Sequence, residues 1–184
     1  MRRLSLLLAT ASLMMSVAAV AADQPAGFWA TPTITGYGKI HYLPNAAYKP
    51  VADQTYRIVF SLTEAAKSPR DVNASLDRVA RTVNLYVAAG VPLDHLKFVA
   101  VASGGATPLV LNDAQYRAAY GVPNPNLPLI EKLRSAGVDV AVCGQAVAEH
   151  QFDYAWVDPH VTLALSALTT VTTLEHQGYD LLQL

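Results

Sequence analysis

The chain has one cysteine, Cys143, and its setting is chemically suggestive. It ends the apolar run Val138-Asp139-Val140-Ala141-Val142 and is followed by Gly144 and Gln145. A thiolate can attack an electrophile or carry a sulfur atom as a persulfide. Gly144 would let another group come close to the sulfur. If Gln145 opens a helix, its free N–H groups and dipole favour the charged form of the thiol. A second apolar run ends in Ser103-Gly104-Gly105-Ala106-Thr107, a loop with two adjacent glycines. His150 faces Cys143 if a turn folds the chain back. The competing account of the thiol is packing, because free Cys is among the most buried residue types.

Other chemistries lack their spacing. There is no His-x-x-x-His and no Cys-x-x-Cys, so neither a metal site nor a resident cofactor is expected. The glycine pair does not have the spacing of a phosphate-binding loop. Ser103 and Ser166 sit in no nucleophile elbow. The formal net charge is -1 with no long basic run, so nothing favours nucleic acid or an anionic membrane surface and no nucleic-acid partner is expected.

Positioning these residues requires alternating strands and helices. Tyr56–Leu62 is rich in β-formers, and Lys97–Ala102 reads as a strand buried on both faces. Val138–Val142 with Cys143 at its carboxyl end, Val161–Leu165 and Tyr179–Leu184 complete about five strands. Between Val72 and Ala89, apolar residues recur every three or four positions, a helical stripe stopped by Gly90. Asn112 is placed to cap a short helix over Asp113–Tyr120. Asn126 is placed to cap a third helix with Pro128 in its first turn. Further helices are expected over Gln145–His150 and Ser166–His176. This alternation predicts an α/β fold: a compact single domain over 56–184 whose mostly parallel sheet is flanked by helices on both faces. In such sheets, functional groups gather at the carboxyl edge, which places the Ser103 loop and Cys143 together.

The first 55 residues read differently. Arg2 and Arg3 precede an apolar stretch to Ala22, ending in small residues before Asp23. This pattern predicts a signal peptide over 1–22 and a periplasmic or secreted product with no stable membrane insertion after cleavage. About 160 residues then remain, a usual size for one domain. Residues 23–55 hold Pro25, Pro32, Pro44 and Pro50 together with Phe28, Trp29, Tyr37, Tyr42 and Tyr48. Prolines forbid a helix and the aromatics argue against a solvated linker, so an extended arm packed on the domain or on a neighbouring subunit is expected.

Several segments together are similar to one family. Ala80–Tyr86, Gly104–Thr107, Asn124–Leu127, Ala136–Val138, Val142–Gln145 and Gln177–Tyr179 resemble the DsrE/DsrF-like family, in the branch with exported members. The resemblance spans Tyr56 to the C-terminus. It implies a homo-oligomer, a trimer or hexamer, and a role in sulfur handling. Cys143 matches the family's Cys-Gly-Gln position, which implies that it carries a persulfide and exchanges sulfur with a donor or acceptor protein. The candidate binding residues around it are Ser103, Gly104, Gly105, Gly144, Gln145 and, from the Asn-Pro-Asn segment, Asn124. In one departure, Ser103 stands where many relatives have a His before the glycine pair. Two other functions fit the same sequence: a module that binds a small ligand with Cys143 as a wall residue, and an assembly protein whose aromatic arm docks on a neighbour.

Overall fold

The computed structural model describes residues 27–184. The expected signal peptide over 1–22 and the first residues of the arm lie outside the described residues. Five strands are present: β1 (Tyr56–Leu62), β2 (Leu96–Ala102), β3 (Asp139–Cys143), β4 (Thr162–Ala164) and β5 (Asp180–Gln183). All pair in parallel in the order β4-β3-β2-β1-β5. The register sets Val59 beside Val99, Val99 beside Asp139, and Cys143 beside Ala164. Among the described residues, no helix is long and apolar enough to cross a membrane.

The helices are α1 (Ala74–Ala88), α2 (Asp113–Tyr120), α3 (Leu127–Ser135), α4 (Gly144–Glu149) and α5 (Ala167–His176). Helix α1 starts where Asn73 Oδ1 accepts the N–H groups of Ser75 and Leu76. Its buried stripe of Leu76, Val79, Ala80 and Val83 packs with Leu129, Ile130 and Leu133 of α3 on one sheet face. That face carries Ile58, Phe60, Leu62, Phe98, Ala100 and Val140. Each large side chain enclosed there contributes about 1.5–3 kcal/mol through apolar burial.

Sequence progress from β1 to β4 runs one way across the sheet, and β5 then returns to pair with β1. The connecting helix α5 therefore covers the opposite face, where Ala167, Val171 and Leu174 lie on Val59, Val101 and Ala141. The two faces are unequal. Helix α5 contains no buried residue; its own Leu168 is 80% exposed, and Leu165 just before it is 73% exposed.

The arm lies against its own domain. Ala30 and Ile40 form an antiparallel bridge, and Ile34 and Ile40 are buried. Asn84, wholly buried on α1, fastens the turn between them. Its Oδ1 accepts the N–H groups of Thr33 (3.0 Å) and Ile34 (2.8 Å), and its Nδ2 donates to the carbonyls of Tyr37 (3.0 Å) and Gly38 (2.9 Å). Gly38 is needed for this approach: a Cβ there would fall 2.2 Å from the Arg81 backbone nitrogen, at φ +60°. Replacing Asn84 with Ala strands two donors and two acceptors at once. Asn84→Ala should lower stability by about 2–4 kcal/mol, read as a lower urea midpoint.

Candidate functional site

The carboxyl edge of the sheet brings the candidate residues together. Ala102 of β2 sits beside Val142 of β3, so Ser103 and Cys143 occupy the next row. Strand alternation places Cys143 on the α5 side with Ala141. The residue is 6% exposed, and its thiol is free. Cys143 is itself the residue before α4: its backbone is extended and its Sγ accepts the Ala146 N–H at 3.4 Å. Helix α4 begins at Gly144, one residue earlier than a start at Gln145.

Gly144 serves a different purpose from the one its position suggests. A Cβ there would lie 2.8 Å from the carbonyl oxygen of Ala164, at the end of β4. The missing side chain lets β4 close on β3 rather than admitting a group to the sulfur. Gln145 is exposed, and its amide nitrogen donates to the Leu165 carbonyl at 3.1 Å, holding the chain that leaves β4.

The glycine loop is more ordered than a tight turn. Residues Gly104–Val110 form a run of 3-10 helix that packs against α4. Gly104 adopts φ +51°, and its carbonyl accepts from Thr107 Oγ1 (2.8 Å) and pairs with His150 Nε2 (2.9 Å). An imidazole bonding a carbonyl through Nε2 must carry its proton there. His150 therefore donates to the glycine loop that follows β2. Gly105 lies against the segment after β1, where a Cβ would meet Ala65 N at 3.0 Å and Thr63 O at 3.1 Å. Ser103 is extended, half-buried, and tied by its N–H to the Leu62 carbonyl.

Asn124 is buried, and its carboxamide is fully used inside the protein. Nδ2 donates to the carbonyls of Leu109 (3.0 Å) and Leu111 (2.7 Å), while Oδ1 accepts the N–H and Nδ2 of Asn126 (both 3.0 Å). Asn126 does not cap α3 with its side chain, contrary to the sequence expectation. Its backbone is already helical, so the side chain turns away from the helix and Oδ1 accepts the Asn73 N–H at 2.8 Å. Asn124 N–H donates to Asp113, whose carboxyl is held below the usual carboxylate range first by the hydrogen bond from Arg117 and then by this N–H. Of the three linked asparagines, Asn124 and Asn126 stand in the Asn-Pro-Asn segment read from the sequence, and Asn73 was missed. The signal that could have found Asn73 is its place as an N-cap residue just before the helical stripe of α1. Among the described residues, no cluster of side chains suited to a metal ion occurs.

The profile of the DsrE/DsrF-like family matches residues 54–184, and the chain belongs to this family. The family is associated with sulfur relay in general. Among solved structures, a protein of unknown function from Methanobacterium thermoautotrophicum is similar, at 16% identity over 70% of this chain and 99% of that one, with a TM-score of 0.49. No curated protein matches the chain.

The Gly144–Ala164 contact sets a strict limit on this edge. Gly144→Ala should cost about 1–3 kcal/mol by forcing β4 away from β3, measured as a lower urea midpoint with an unchanged slope.

Proposed function

We propose that this protein is an exported sulfur carrier in which Cys143 holds sulfane sulfur as a persulfide. The observation that carries the reading is a lone thiol at the carboxyl end of β3, with its sulfur accepting an N–H of α4, in a chain of the DsrE/DsrF-like family. The Cys143 thiolate attacks the outer sulfur of a donor persulfide. The donor's S–S bond breaks as the new S–S bond forms, and the donor leaves as a thiolate, so no external oxidant or reductant enters. An acceptor thiolate reverses the exchange. Cys143 is buried, so loading depends on a local opening that exposes the sulfur.

Export rests on the sequence of residues 1–22, and puts the sulfur donor and acceptor proteins in the periplasm or outside the cell. Intact mass spectrometry of material recovered from the periplasm tests both claims. The expected chain starts at Asp23 and gains one sulfur atom after exposure to an organic persulfide, and Cys143→Ser gains none. A folded wild-type chain that gains no sulfur would overturn the carrier reading. The burial of Cys143 favours the second reading, a binding or assembly module with a structural cysteine.

We also propose that the chain forms a homo-oligomer, a trimer or hexamer. Exposed Leu165, just after β4, and Leu168, on α5, lie beside the thinly covered sheet face, which supports this reading. Leu165→Glu with Leu168→Glu should reduce the mass found by light scattering to that of one chain; an unchanged mass would place the contacts elsewhere.

A further inference from the structure

A cleft with Gly105 and Ala106 in its wall, and without Cys143, has the features of a separate site. It lies where the segment after β1, the 3-10 run after β2 and helix α2 meet, at the edge where ligands bind open parallel sheets. Its volume is about 130 Å³. Ala65, Ala66, Ala106, Pro108 and Leu109 supply apolar wall, and the rings of Tyr116 and Tyr120 stand 4.6 Å apart beside them. No ionisable group that is charged at neutral pH lines it.

Two asparagines give this wall donors with capacity left over, while Ser68, also in the wall, accepts the Arg70 N–H through its Oγ. Asn73 and Asn126 are each almost completely buried and both line the cleft. Asn73 Nδ2 makes one hydrogen bond, to the Glu64 carbonyl, and Asn126 Nδ2 makes one, to Asn124 Oδ1. Each amide nitrogen carries two hydrogens, so each retains one without an acceptor among the described residues. The Tyr120 hydroxyl likewise has no partner among them, whereas Tyr116 donates to the Pro69 carbonyl. Burial pushes the Tyr116 phenol up, so it stays neutral.

We infer that this cleft binds a small uncharged molecule with an apolar body and an acceptor oxygen, of the size and polarity of a cyclic ketone. Apolar walls select the body, and an ion here would lose its hydration without meeting an opposite charge. Unused amide hydrogens select an acceptor over a donor, because buried donors gain most from being satisfied. The size agrees with a five-membered or six-membered ring, since an apolar cavity of about 150 Å³ holds benzene. This site uses no atom of Cys143, so it stands or falls apart from sulfur carriage.

Cyclopentanone titrated into the ¹⁵N-labelled chain tests it, with acetate as the charged control. The expected result is saturable movement of the Asn73 and Asn126 side-chain amide signals, with half-saturation in the millimolar range for so few heavy atoms. Acetate should leave both signals in place. Ala66→Leu, which fills the cleft from a half-buried wall position, should weaken binding about tenfold or more while the rest of the spectrum stays native. Tyr120→Phe, at a partly exposed position, gives a second variant expected to weaken binding several-fold if Ala66→Leu does not fold. No saturable movement of either amide, equal movement with acetate, or full binding by the folded variants would overturn the inference.

Discussion

A chain of buried carboxamides holds the carboxyl edge of this protein in one arrangement. Asn73 Nδ2 grips the carbonyl of Glu64 after β1, and the Asn73 N–H is held by Asn126 Oδ1. Asn126 leans on Asn124, which in turn grips the carbonyls of Leu109 and Leu111 after β2. Three side chains thus tie the segments following two adjacent strands to the entrances of α1 and α3. In a low-dielectric interior such bonds are strong when complete and costly when broken, so the segments move together or not at all. The glycine loop inherits its position from this network, and through the loop so do the Gly104 carbonyl, His150 and the surroundings of Cys143.

The sheet adds a second constraint, of direction rather than of bonding. Four strands advance one way and β5 reverses, leaving α1 and α3 on one face and α5 alone on the other. The first face is a sealed core built around Phe60 and Phe98, whose rings meet edge to face at 5.4 Å. The second is a thinner layer bordered by exposed leucines. Cys143 belongs to the side of that thinner layer, so the candidate thiol and the apolar surface share one side of the molecule. Family membership joins this geometry to sulfur relay, while the buried state of the sulfur makes access the controlling variable.

Much of the framework was legible because it depends on short-range periodicity. The three-and-four spacing of Leu76, Val79, Ala80 and Val83 marks α1, and continuous apolar runs mark β2 and β3. A strand buried on both faces needs such a run and few other segments tolerate one. The strand ends then locate Ser103 and Cys143 in adjacent rows without any coordinates. The seven-residue 3-10 run after Ser103 was not legible, since glycine and proline signal a turn but not its length. The arm was recognised by its prolines and aromatics, yet its partner was not. Asn84 looks like an ordinary polar residue inside a helical stripe until Thr33, Ile34, Tyr37 and Gly38 are brought to it across some fifty positions.

The sequence by itself determined the element order, the parallel α/β class, the family and the place of the single thiol at a strand end. These follow from patterns read over a few residues and from the rules that connect strands to helices. Tertiary structure alone decided what each polar residue faces. It made Asn124, a candidate binding residue, and Asn126, a candidate cap, parts of one buried hydrogen-bonded network. It set Gly144 against the Ala164 carbonyl rather than beside an open path to the sulfur, and it gave His150 to Gly104. The physical reason is that hydrogen bonds and close contacts join residues remote in sequence, and burial decides which of them must be satisfied.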